Sequence, residues 1–186
     1  MRTHSPENER IKRAYFTYLK EARRLSEPSI DAAAAALSRF EDYTRYRDFK
    51  SFHVQRAIAF KRKLAEQISA RTGEQLSKRT QFGTLNSLRA FFQWLAGQPG
   101  YRSHLTYADA DYFSLSEKET RIAKARGERP VPTLEQIHHV VQSMGAATDV
   151  QHRNRALVAF TLLTGARDGA IASMKLKHVD IAEGDL

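Results

Sequence analysis

Apolar residues recur along most of the chain at the three- and four-residue spacing of an amphipathic helix. Ile11, Tyr15, Tyr18, Ala22 and Leu25 define one face and predict a first helix over about 6–25. Arg10, Arg13, Lys20 and Arg24 fall on its opposite side, which reads as a solvated charged face ahead of a phosphate-facing stripe. Ser26-Glu27-Pro28-Ser29 then supplies a serine cap and an early proline, both helix-start signals. The second helix runs to about Arg45, with Ala33, Leu37, Phe40 and Tyr43 on one side. Its alanine run at 32–36 favours helix and permits close packing. A third segment starts at 48–51 and carries Val54, Ala57, Ile58, Leu64 and Ile68 at helical spacing, with Lys61 interrupting the face and Gly73 as the stop. Ser77 caps a fourth helix that continues to about Leu95, with an apolar stripe of Leu85, Leu88, Phe91, Phe92 and Leu95.

Beyond Gly97 the pattern loosens into a loop, a short helical stretch near 108–115 and a highly charged run at 117–127. Arg129-Pro130-Val131-Pro132 reads as extended, because a residue before proline avoids the helical region. The division this implies is a helical part at 1–125, a linker at 126–132 and a second part at 133–186. Thr133-Leu134-Glu135-Gln136 has the form of a capping box, followed by Ile137, Val140, Val141 and Met144 on one face. Thr148 or Asp149 caps the next helix, over 151–163. Its residues 156–163 are apolar nearly all round, so it belongs in a core. Gly165 stops it. Asp168 caps a short helix holding Ile171 and Met174, and Leu176, Val179 and Ile181 alternate loosely, which allows one strand at the end. The expected fold class is all-α, with that terminal strand as the one exception.

Composition narrows the function. The 186 residues carry a formal net charge of +9, which points to a polyanionic partner, nucleic acid or an anionic surface. There is no cysteine, so disulfides and thiolate metal sites are excluded. No long apolar run suggests a signal peptide or a membrane span, and a soluble, cytoplasmic protein is expected. On the polar side of the Ser77 helix stand Lys78, Arg79, Asn86 and Arg89, with Gly83 among them, where a missing side chain permits close backbone approach. Phe91, Phe92 and Trp94 sit at helical spacing and read as core ahead of base-stacking residues. His138 and His139 are adjacent and therefore point about 100° apart on a helix, so no metal site is expected. There is no Walker loop, dinucleotide fingerprint or nucleophile elbow, and no cofactor is expected.

Two segments together resemble the tyrosine recombinase, or phage integrase, family. One runs from Arg155-Ala156-Leu157 through Thr164-Gly165-Ala166-Arg167 to His178-Val179-Asp180-Ile181. The other runs from Leu76-Ser77-Lys78-Arg79-Thr80 through Leu88-Arg89-Ala90-Phe91-Phe92-Gln93-Trp94-Leu95 and looks like the last main helix of the family's core-binding domain. The resemblance implies a helical, SAM-like core-binding bundle followed by the start of an integrase-type catalytic domain. It implies double-stranded DNA as partner, a tetramer on DNA for the full-length enzyme, and chemistry through a phosphotyrosine without metal or nucleotide. It makes Arg167 the first catalytic arginine, and Lys78, Arg79, Asn86, Arg89, Arg126, Arg129, Lys175 and Lys177 the candidate DNA contacts. An arginine suits position 167 because its planar, permanently charged fork matches two nonbridging phosphate oxygens. Where the family often has an acidic residue three positions on, this sequence has Ala170. All seven tyrosines precede Arg167, so the chain alone is expected to break no DNA; a DNA-binding accessory protein derived from a truncated integrase is the alternative. His152-Arg153-Asn154-Arg155 spells a family-like H-x-x-R but precedes Arg167 and reads as chance.

Overall fold

A computed structural model describes residues 4–70, 72–125 and 131–175. The fold is all-α. Among the described residues the extended pairing is limited to one isolated bridge, Ile68 with Gln75. The anticipated terminal strand falls at 176–181, outside the described residues. The chain divides into two compact units, Met1–Arg126 and Gly127–Leu186.

The first unit contains α1 (Pro6–Thr17), α2 (Glu27–Thr44), α3 (Val54–Glu66), α4 (Lys78–Ala96) and α5 (Glu117–Lys124). Helix α4 is central: α2, α3, α5 and a 3-10 segment at Tyr107–Phe113 all pack on it. The aromatic side chains make the core. Phe92 is fully buried, with ring centroids 5.4 Å from Phe40, 4.4 Å from Phe52 and 5.1 Å from Phe113. Phe91, also fully buried, meets Tyr15 and Phe49. Phe91 and Phe92 are thus core residues, as their spacing indicates, and cannot stack on bases. Trp94 is half-buried between Tyr15 and Tyr18.

A buried polar pin fastens α1 to α2 and to the turn before α3. Asn8 is fully buried; its Nδ2 donates to Glu41 Oε1 and to the Arg47 carbonyl, each at 3.0 Å, and its Oδ1 accepts the Phe49 N–H at 3.1 Å. Lys12 Nζ reaches Glu41 at 2.6 Å and Glu9 at 2.7 Å. Burial works to lower the Lys12 pKa, but hydrogen bonds to the two carboxylates and their charges outweigh it, and the net shift is upward.

Several boundaries differ from the sequence expectation. The first helix does not run regularly to Leu25: after Thr17 it widens into a π-helical turn, Tyr18–Ala22. The wider turn rotates the apolar face, so Leu19 is buried while Leu25 is 40% exposed. The third helix stops at Glu66, short of Ile68, where two hydrogen bonds take over, Ser69 N–H to Glu74 O and Leu76 N–H to Gln67 O. The charged run near 117–127 contains helix α5, opened by a Ser116–Glu119 capping box. Gly83 admits no close neighbour inside the protein, since a Cβ added there would meet nothing within 4 Å.

The second unit contains α6 (Leu134–Ser143), α7 (Asp149–Thr164) and α8 (Asp168–Ser173), with α6 packed on α7. Thr133 and Thr148 each form a capping box with a glutamine three residues on. None of the described residues of this unit is buried, and Leu163 is 84% exposed. The apolar stretch 156–163 is therefore not enclosed: one neighbouring helix covers only part of a helix that is apolar on most sides.

Candidate nucleic-acid interface

The surplus positive charge of the chain lies wholly within the first unit; the second has a slight acidic excess. Along α4, Arg79, Gly83, Asn86 and Ala90 are all exposed. Their four-, three- and four-residue spacing makes them one continuous strip, opposite the aromatic stripe that α4 buries. Beside this strip, α2 and α4 enclose an open groove of about 1090 Å³. It is lined by Ala32 and Ala36 of α2, by Gly83, Ser87 and Ala90 of α4, and by Arg39. Arg39 is fixed there by a 3.0 Å hydrogen bond from its guanidinium to Thr84 Oγ1. The alanine run of α2 is what keeps the groove open.

The candidate contacts on α4 separate into two kinds. Arg79 and Asn86 are exposed and have no side-chain partner among the described residues. Lys78 and Arg89 are engaged. Lys78 Nζ lies 2.7 Å from Glu119 Oε1, and Arg89 donates twice to Asp111 Oδ1, at 3.0 and 2.7 Å. The Glu119 carboxyl is held below its ordinary pKa by the Lys78 and Ser116 hydrogen bonds. Of the charged face expected on the first helix, Arg10 of α1 pairs with Glu7 and Lys20 of the π-helical turn with Glu27, which fits a solvated face. Arg39 was not singled out in the sequence. One arginine inside an alanine-rich helix has no local signature, and only the packing of α2 on α4 brings it to the groove.

In the second unit, Gly165 ends α7 in the left-handed region at φ 61°, ψ 17°, its N–H donating to Thr161 O at 2.9 Å. The chain turns there and Arg167 follows in extended conformation as the residue preceding α8. Its side chain is exposed and unpartnered among the described residues. Its carbonyl accepts the N–H groups of Ala170 and Ile171. Arg167, and not Asp168, occupies the cap position; the Asp168 carboxylate accepts the Gly169 N–H at 2.8 Å instead. Lys175 is exposed. Arg126, Arg129, Lys177 and His178 lie outside the described residues. Among the described residues no group of three or more potential ligands could hold a metal ion, and no helix is long and apolar enough to cross a membrane.

No family model matches the chain, and no solved structure matches it. Curated relatives do. The tyrosine recombinase XerC of Stutzerimonas stutzeri (strain A1501) is 24% identical over 180 residues, covering 92% of this chain and 52% of the relative. The tyrosine recombinase XerC of Lactobacillus delbrueckii subsp. bulgaricus (strain ATCC BAA-365 / Lb-18) is 28% identical over 116 residues, covering 61% of this chain and 35% of the relative. That of Lactobacillus leichmannii matches to the same extent. The chain thus spans about half the length, or less, of the curated relatives it matches. What it is similar to, weakly in identity but across both of its units, is a tyrosine recombinase.

Proposed function

We propose that this chain is the DNA-binding portion of a site-specific tyrosine recombinase acting in DNA integration and recombination. The observation that carries the reading is the similarity to tyrosine recombinase XerC over 92% of the chain, which takes in both the α4 strip and the Thr164–Arg167 turn. In this reading residues 1–125 form the core-binding domain, 126–132 the linker and 133–186 the start of the catalytic domain.

The residues then divide the work by chemistry. Arg79 and Asn86, open on α4, contact DNA directly: the arginine a phosphate, the amide a phosphate or a base edge. Lys78 and Arg89 exchange a carboxylate of their own unit for a phosphate, so part of their binding energy is offset by the lost pairs with Glu119 and Asp111. Arg167 holds the nonbridging oxygens of the phosphate to be attacked, where negative charge builds during transfer. Its place after a left-handed glycine, free of any described carboxylate, leaves the guanidinium available.

The test is duplex DNA binding across a salt series. Each neutralised phosphate contributes about −0.9 to the slope of log affinity against log salt. A slope of several units is expected. A flat response, or no binding at low salt, removes the reading.

A further inference from the structure

We propose that Arg45, Arg47 and Arg56, gathered where α2 turns into α3, form a second phosphate site, which takes a backbone phosphate of nucleic acid away from the α4 strip. The assignment rests on the DNA-binding reading above and adds to it a place on the protein that neither the family motifs nor the charge of α4 indicates.

The three arginines, with Tyr43 and Thr44, line one small surface pocket of about 260 Å³. No salt bridge ties any of them to a carboxylate among the described residues. Arg56 Nη1 donates to Ser51, to its carbonyl at 2.8 Å and its hydroxyl at 2.9 Å, which fixes the side chain without neutralising it. Partial burial, with the like charge of Arg47 added to it, lowers the Arg56 pKa. The carboxylates nearby take other hydrogen-bond donors, which leave their charge in place. Asp48 Oδ1 accepts the Lys50 N–H, and Asp42 accepts from the Tyr46 hydroxyl.

The arrangement works against the stability of the fold in two further ways. Arg56 sits in the first turn of α3, whose N-terminus has no acidic residue, so its charge opposes the helix dipole. Arg45 and Tyr46 both lie in the left-handed region, at φ 56° and 58°, which bulky residues seldom adopt. A cation at the C-terminus of α2 would account for Arg45 alone. Nothing in the fold accounts for Arg47 and Arg56 held together. The corner is also rigid, because Asn8 binds both the Arg47 carbonyl and the Phe49 N–H from inside. Clustered, uncompensated guanidiniums on a fixed backbone suit a phosphate, whose oxygens accept from several donors at once.

The experiment uses the 186-residue chain and the double variant Arg47→Ala/Arg56→Ala, with Arg45 retained so that the left-handed turn is undisturbed. Arg47→Glu serves as a second variant that leaves Arg56 and its Ser51 bonds in place. Trp94 fluorescence and circular dichroism confirm that each is folded, and Lys118→Ala, an exposed lysine on α5, is the control. With duplex DNA, the double variant is expected to bind about tenfold more weakly at moderate salt and to lose about one unit of salt slope, the share of one phosphate. Arg47→Glu should lose at least as much, and Lys118→Ala should stay near wild type. If wild type binds DNA with a steep slope and both arginine variants match it, the site is overturned while the DNA reading stands. If wild type binds no DNA, both fall. Inorganic phosphate provides the last arm. Stabilisation of wild type by phosphate that disappears in the double variant, with DNA binding unchanged, would mark a free-anion site and overturn the nucleic-acid assignment.

Discussion

Replacing Asn8 with alanine tests how much of the first unit hangs on one buried amide. The side chain is fully buried and makes three hydrogen bonds, to Glu41, to the Arg47 carbonyl and from the Phe49 N–H. Alanine removes all three. Glu41 keeps Lys12 as partner, so its charge is not abandoned. The Phe49 N–H and the Arg47 carbonyl lose the partner that α1 gave them. A buried polar group left unpaired costs about 1–3 kcal/mol; the buried Phe49 N–H carries most of this, and the half-buried Arg47 carbonyl and the weakened Glu41 contact bring the loss to about 3 kcal/mol. Urea unfolding followed by Trp94 emission measures it cleanly. Trp94 is the single tryptophan, and it lies in the first unit, 5.0 Å from Tyr15 and 5.9 Å from Tyr18. At a slope of about 1.5 kcal/mol per molar, the midpoint should fall by about 2 M. A loss below about 1 kcal/mol would refute the reasoning, because it would mean that the amide is not the partner these groups depend on. Asn8→Asp should do worse than alanine, since it cannot donate and places a carboxylate against Glu41.

Arg79→Ala should weaken binding to all DNA sequences alike and leave the melting temperature near wild type, whereas Lys78→Ala should also loosen α5 by releasing Glu119, seen as faster hydrogen exchange at 117–124. Acidification should loosen α5 too: the Glu119 pKa is lowered in the fold, so its contribution is present above about pH 4.5 and is lost as pH falls through the depressed value. Burial pushes the hydroxyls of Tyr15 and Tyr101 up to about 12, so phenolate absorbance should show two late-titrating tyrosines, with stability declining as pH rises from 10 towards 12. Gly165→Ala should cost about 1 kcal/mol through its positive φ, read as increased exchange at the end of α7.

Local signals in the sequence reached the caps and the stripes. Ser77, Thr133 and Thr148 cap where their side chains indicate, Gly165 stops α7, and the Leu85–Leu95 stripe is buried. What was harder to read has in two places the same cause, which is that the deciding partner is distant. Lys78 and Arg89 look free along α4 until Glu119 and Asp111, 41 and 22 residues away, come to meet them. The arginine corner is spread over twelve residues, from the end of α2 to the first turn of α3, with a left-handed pair that no glycine or asparagine announces. The π-helical turn shifts the face of α1 by one residue, which a fixed helical period cannot express. Helix α5 hides because its charged residues mask a single buried contact, Ala123.

The way α4 is closed over decides where the chain can be cut. Phe113 and Ala110 of the 3-10 segment are fully buried, Phe113 stacks on Phe92, and Lys61 reaches across to the Ser114 carbonyl at 2.9 Å. The Lys78–Glu119 pair then ties α5 to the start of α4. A fragment designed by counting the four long helices, and so ending near Gly97, would uncover the central phenylalanines and come out of the cell as aggregate. The smallest piece able to fold by itself for crystallography, NMR or fusion to another protein has to run through Lys124. Twenty-odd residues that read on paper as loop and charge are the lid of the aromatic core, and expression yields of nested truncations between 97 and 126 should step up abruptly once Lys124 is included.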